Sequence, residues 1–298
     1  MMRYNKPALT PHEIITQLKS RNLLFRDENY AMEQLKTIGY FRLANYLRPM
    51  EANKVNHTYK PNSYFENAVE LYFFDKDLRS LLFSMVQSFE ISLRAKLINN
   101  FSLKYGPYWF CEFDLHKEGK VFSECLSKIY QEVSRSKEDF IKDYYCKYTE
   151  PDIPPVWKTL EIVSFGLLSK IFCNLSDKKL KRVISRELNI PQPLYLESWC
   201  KSAVALRNCL AHHARTWNRK FPIIPQIPRK LTGDWIDIKN VDTTKIYVHL
   251  SYLLYLMNAL DPKNRYKEIF KELLKKYPNV DVSAMGFPSD WLTQPLWQ

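Results

Sequence analysis

Glycine is scarce in this sequence, with 6 among 298 residues, and no Gly-rich phosphate loop occurs anywhere. Ser164 and Gly166, in VSFGLL, lack the arrangement of a hydrolase nucleophile elbow. The six cysteines, at 111, 125, 146, 173, 200 and 209, include no Cys-x2-Cys spacing. That removes the usual zinc and dithiol signatures and leaves them reading as reduced thiols of a cytosolic protein. No metal site and no cofactor is expected. The N-terminus MMRYNKPALTPHE is basic without an apolar run of signal-peptide length behind it, and no later stretch approaches a membrane span. The expectation is a soluble, cytoplasmic chain with no membrane partner. Internal repeats and low-complexity segments are lacking as well.

What the sequence has in excess is positive charge. The formal net charge is +12, from 44 Lys plus Arg against 32 Asp plus Glu. Such an excess draws polyanions, nucleic acid or an acidic membrane surface, without conferring specificity. With 46% apolar residues the composition is not that of a disordered protein, and the length suffices for one large core or two modest ones.

The 17 prolines fall in clusters that leave 12–48, 62–106, 108–150, 156–190, 194–221 and 229–261 free of them. Proline removes a backbone donor and clashes inside a helix, so these gaps mark where helices can run. Thr10-Pro11-His12-Glu13 combines a capping box with proline at the first helical position, Ser63-Tyr64-Phe65-Glu66 reads as a second box, and Asp261-Pro262 can open a short terminal helix. Between 63 and 105, Leu71, Phe74, Leu78, Leu81, Leu82, Met85, Phe89, Leu93 and Leu97 recur every three or four residues, one helical stripe facing a core. Further helices are expected over 120–147, 156–175, 177–188, 194–217 and 243–260. The fold class is therefore all-α. A small N-terminal helical unit, 1–55, is built around Leu18, Leu23, Leu35, Ile38 and Leu43. A helical core follows over 60–217, then a long loop over 218–242 and C-terminal helices and tail, 243–298, packing on the core.

The segment RNCLAHHARTWNR, 207–219, stands out for chemistry. On a helix from about 194, Trp199, Ala203, Leu206, Leu210 and Trp217 share an apolar face, while Lys201, Asn208, His212, Arg215 and Arg219 form a polar row at spacings of three, four or seven. Arg207 lies about 140° around the axis from His212, and His213 about 100° from it. Either Arg207 reaches round from the core edge, or a complete site pairs this segment with a second copy from another subunit. Cleaving RNA without metal needs a group to deprotonate the ribose 2′-hydroxyl, another to protonate the leaving 5′-oxygen, and positive charge on the phosphate. Histidine suits the proton transfers and an arginine fork the phosphate. Taken alone, Arg-x4-His is a weak pattern that surface residues often produce.

The surrounding residues are more specific. RNCLAHHARTWNR, with KTIGYFRLANYLRPM (36–50), LYFFDKDLRSLLFSMVQSFEISLRAKLINNF (71–101), PPVWKTLEIVSFGLLSKIF (154–172) and MGFPSDWLTQPLW (285–297), resembles the Abi (abortive infection) family of bacterial phage-defence proteins, related to its AbiD and AbiF groups. That family is placed among the HEPN proteins, helical ribonucleases marked by Arg-x4-6-His with a polar residue commonly after the arginine. The resemblance implies an HEPN-like helical bundle and a metal-independent endoribonuclease toxin. It makes Arg207 and His212 the catalytic pair, for phosphate stabilisation and proton transfer, with Asn208 orienting one of them. HEPN ribonucleases usually assemble two such motifs, and this chain has one, so a homodimer with a composite site is expected. An enzyme that cuts its host's RNA needs restraint, which makes a regulatory RNA or antitoxin a candidate partner that no residue here identifies.

Other groups could support the site. His213 is a second histidine. Glu90 and Arg94 place an i,i+4 ion pair in an apolar row, where it either positions an arginine near the cleft or, the more frequent case, fixes helix packing. Arg215, Arg219 and Lys201 are candidate RNA-binding cations. Asp75 and Arg79 repeat the spacing in a more polar context and read as a solvated pair. Tyr40, Arg42 and Tyr46 could stack on bases, although aromatics at helical spacing are more often core. In KKLKRVISREL (178–188), Lys178, Lys179, Lys181, Arg182 and Arg186 read as a solvated face that could also track an RNA backbone. Two readings of other classes compete: a non-catalytic RNA-binding module of a defence or toxin–antitoxin system, and a DNA-binding helix-turn-helix around Gly39. The second has no basic recognition helix with several base-reading side chains to support it.

Overall fold

The structure, a computed structural model, describes residues 7–239 and 241–298. Among them the chain forms α1 (Pro11–Lys19), α2 (Glu28–Thr37), α3 (Tyr40–Leu47), the hairpin β1 (Glu51–Asn53) and β2 (Thr58–Tyr59), then α4 (Phe65–Tyr105), α5 (Gly119–Arg135), α6 (Asp139–Lys147), α7 (Val156–Ile162), α8 (Phe165–Asn174), α9 (Lys178–Arg186), α10 (Pro193–Ala211), α11 (Ile246–Leu260) and α12 (Tyr266–Lys276). The fold is all-α, as expected. The chain divides into two compact units, Met1–Arg79 with Phe270–Val280, and Ser80–Ile269 with Asp281–Gln298.

In the first unit α1 opens on the expected capping box, with Thr10 N–H donating to Glu13 Oε2 at 2.7 Å and Glu13 N–H to Thr10 Oγ1 at 3.3 Å. The second box does not form. Glu66 Oε1 instead accepts the N–H groups of Arg26 and Asp27, at 2.9 and 3.0 Å, and closes the turn before α2. Gly39, at φ +87°, precedes α3 in a conformation that favours glycine. The hairpin was not expected, because strands of three and two residues leave too short an alternation to read. Leu24 lies beside it: its N–H donates to Ser63 O and its carbonyl accepts from Phe65 N–H, both at 2.9 Å. Asp75 and Arg79 correct the solvated reading. Both are buried, Arg79 Nη1 lies 2.6 Å from Asp75 Oδ2, and Tyr46 donates its hydroxyl to the same oxygen at 2.6 Å. A charged pair this deep persists because its atoms satisfy one another.

The second unit is built around α8 and α10, which pack on each other; α5 covers α8, while α9 and α11 cover α10. The stripe of α4 is buried in both units, Leu71, Phe74 and Leu78 in the first and Leu81 to Leu97 in this one, each such side chain contributing roughly 1.5–3 kcal/mol. Two expected helices are in fact broken. The 120–147 stretch divides between α5 and α6, and 156–175 divides where Val163 becomes extended and Ser164 caps α8 by accepting Leu167 N–H at 3.3 Å. Asp261-Pro262 opens no helix either; Asp261 ends α11, and α12 starts at Tyr266. Residues 218–242 carry no helix or strand among those described, yet they are anchored. Gln226 O accepts Trp199 Nε1–H at 2.9 Å, and Trp235 stacks on Trp199 at 6.0 Å. Lys181, expected on a solvated face, is 1% exposed. Its ammonium donates to the carbonyls of Cys173 and Leu175, both at 3.2 Å, and pairs with Glu197.

Candidate functional site

Pro193 starts α10 at a position where the missing N–H does no harm. Leu196, Trp199, Cys200, Ala203, Leu206 and Leu210 form its buried face. Lys201, Asn208 and His212 lie on the opposite, exposed side. The helix stops at Ala211, six residues short of the expected 217. His212 is its C-cap, at φ −84° and ψ 9°, and His213 adopts the left-handed conformation at φ +53°. His213 N–H then donates to Leu210 O and Ala214 N–H to Cys209 O, both at 3.0 Å. These two bonds make a Schellman motif, which satisfies carbonyls that the end of a helix otherwise leaves bare.

This ending corrects the polar row. Lys201, Asn208 and His212 keep their common face, whereas Arg215, Arg219 and Trp217 follow the turn and leave the helix. His213 is likewise no longer a helical neighbour at about 100°. Arg207 is half-buried and its Nη1 lies 3.4 Å from Asn208 Oδ1. The Asn208 carbonyl accepts His212 N–H at 3.0 Å. Asn208 therefore touches both defining residues of the motif, its side chain reaching the arginine and its backbone holding the histidine.

The remaining candidate residues occupy separate places. Arg215 donates to Asn218 O at 3.3 Å, and the Arg219 guanidinium lies 5.8 Å from the Phe221 ring centre. Arg94 Nη2 donates to Glu90 Oε1 at 2.9 Å and to Val163 O at 3.2 Å, which fastens α4 to the break between α7 and α8. The hydrogen bonds of that pair do not reach Arg207, Asn208 or His212.

Sequence reasoning set Trp217 on the apolar face but missed what the segment behind the motif is tied to. Trp217 is buried and donates to Asp281 O at 3.3 Å; Asn218, at φ +48°, accepts Lys245 Nζ at 2.9 Å. Lys245 also donates to Ala284 O at 3.1 Å, so the segment leaving α10 is tied to the start of α11 and to the C-terminal tail. A tryptophan inside an otherwise polar run was the available signal. Next to these supports sits His249, fully buried, with Nδ1 3.1 Å from Lys245 O and its ring 4.5 Å from that of Phe221. Burial pushes its pKa down to about 4.

Chemically, the end of α10 brings a guanidinium, an amide and an imidazole within about a turn and a half. Among the described residues no three His, Cys, Asp or Glu side chains group so as to hold a metal ion, and no helix is long and apolar enough to cross a membrane.

These features define an all-α protein whose principal polar site sits on an exposed helix end. Residues 33–218 match the family model described as Abi-like protein, a match covering more than half of the sequence, and the chain belongs to that family. Membership points to abortive infection, a form of phage defence. Comparison with curated proteins and with solved structures finds no match to the chain.

Proposed function

We propose that the protein is an HEPN-type, metal-independent endoribonuclease of phage defence, with a composite site formed when two chains bring their α10 ends together. The observation that carries this reading is the exposed final turn of α10, where Arg207, Asn208 and His212 are linked side chain to side chain and backbone to backbone. One chain supplies one such histidine, and the transesterification needs two proton transfers, so a two-fold pair of His212 residues meets the requirement. One imidazole takes the 2′-hydroxyl proton as that oxygen attacks phosphorus. The P–O5′ bond breaks, and the second imidazole, protonated, gives its proton to the 5′-oxygen. Arg207 offsets the charge growing on the phosphate oxygens. The products are a 2′,3′-cyclic phosphate and a 5′-hydroxyl.

The test is cleavage of a broad RNA panel in EDTA, with product ends identified. Arg207→Ala and His212→Ala are expected to lower the rate by about 10²- to 10⁴-fold while melting like the wild type. Undiminished cleavage by both would overturn the assignment; an intact RNA panel with wild-type protein that still binds RNA would leave a binding module.

A second reading concerns the first unit, and its observation is the hairpin. Three short helices are followed by β1 and β2, and Leu24, from between α1 and α2, bridges to Tyr64 just after β2. This arrangement resembles a winged helix, with exposed Phe41 and Arg42 on α3, Arg48 just beyond its end, and Lys54 and Asn56 at the hairpin tip. B-form DNA has a major groove wide enough for such a helix. Mobility shifts with duplex DNA test it: binding lost in Arg42→Ala/Arg48→Ala supports the reading, and no binding by the wild type removes it.

A further inference from the structure

The row of α10 that ends in Asn208 and His212 begins, toward the other end of the helix, in a trough. Lys128 from α5, Lys170 from α8 and Lys201 from α10 stand on its walls, and Gly166, Val204 and Ile223 line its floor, enclosing about 500 Å³. All three lysines are exposed, and none takes part in an ion pair among the described residues. The carboxylate on the wall, Glu132, is taken up by Arg135, which grips it with Nε and Nη2. The lining of the trough thus has three unpaired lysines against one carboxylate that Arg135 already holds, beside the apolar surface of Val204 and Ile223. A second hollow of about 360 Å³ shares Ser169, Lys170 and Lys201 with it and adds Lys117 together with Glu118, Glu124 and Glu197; Glu197 pairs with Lys117 and Lys181, so the phosphate-binding character belongs to the larger trough. Lys201 precedes His212 by eleven positions, about 16 Å along the axis, on the same exposed side.

We propose that this trough holds the single-stranded RNA on one flank of the scissile phosphate, an assignment that rests on the ribonuclease reading of the α10 terminus. Lys128, Lys170 and Lys201 take consecutive phosphates, and bases lie over Val204 and Ile223. The floor decides between single and double strands: a duplex keeps its bases stacked inside and presents only phosphate and sugar, so an apolar floor gains nothing from it. Two-fold symmetry sets a second trough across the composite site with the opposite strand direction, so a single RNA strand running through the site fits only one of the two with the right polarity. Cleavage efficiency should therefore depend on RNA length on one flank and be insensitive to trimming of the other.

The experiment measures binding in a His212→Ala background, so that the RNA survives, using a fluorescein-labelled single-stranded RNA and copies trimmed from either end. Lys128→Gln/Lys170→Gln/Lys201→Gln is expected to weaken binding about tenfold or more and to reduce the slope of log affinity against log salt by about two. With His212 restored, the same substitutions should raise KM far more than they lower kcat. RNA trimmed on the flank the trough holds should bind the triple variant and its parent equally. Unchanged affinity in the triple variant, equal sensitivity to trimming at both ends, or equally tight binding of duplex RNA would overturn the trough assignment. Lysine-dependent binding by a wild-type protein that cuts nothing would instead overturn the ribonuclease reading and leave the trough standing.

Discussion

Buried polar groups and the exposed end of α10 use the same side chains to opposite effect. Arg79 is enclosed with Asp75 and Tyr46, and Arg94 with Glu90 and Val163; each donates to a carboxylate, at 2.6 and 2.9 Å, and to a second oxygen, at 3.4 and 3.2 Å. Arg207 is half-buried with a long side-chain contact, 3.4 Å to Asn208, and no carboxylate partner among the described residues. The histidines divide in the same way: His249 is sealed against Phe221, whereas His212 sits at a solvent-facing cap. An arginine committed to a buried carboxylate fixes packing; one whose fork is largely unspent can meet a phosphate.

The comparison can be broken first at Asp75. Asp75→Ala leaves Arg79 buried without its carboxylate and is expected to lower stability by about 3–5 kcal/mol, read as a shifted denaturation midpoint. A loss no larger than that of an exposed ion pair would mean that Arg79 finds water. Next in size is the pH dependence due to His249. Its folded pKa is about 4, below the roughly 6.5 of an unfolded histidine, so between those values the unfolded chain binds the extra proton. The stability it contributes is complete above about pH 6.5 and falls as pH drops toward 4, by about 3 kcal/mol in all. His249→Phe should flatten the melting profile across that window; an unchanged slope would assign it to other groups. The smallest expected effect is at His213. His213→Gly relieves a left-handed β-carbon and should stabilise the fold by about 1 kcal/mol or less. Retained RNA cleavage in that variant would confine the role of His213 to the turn, whereas a large rate loss would move it among the proton-transfer groups.

What the sequence made legible followed local periodicity. The α4 stripe could be read because nine apolar residues keep one phase over 27 positions. The end of α10 could not, because the chain turns at a histidine where glycine usually gives the signal. The burial of Asp75 depends on Tyr46, 29 residues earlier, and Lys181 is held by backbone carbonyls that carry no residue signature. For the candidate site, the identities of Arg207, Asn208 and His212 were legible, but the departure of Arg215 and Arg219 from their row was not. The trough lysines come from three separate helices and share no sequence pattern.

The left-handed turn at His213 also divides the motif by its tolerance to insertion. A residue added between Arg207 and His212 would swing the imidazole about 100° around the helix and uncouple it from the guanidinium. One added after Ala214 would fall in irregular backbone and leave their spacing unchanged. In this chain an insertion before the turn should therefore cost more activity than one beyond it.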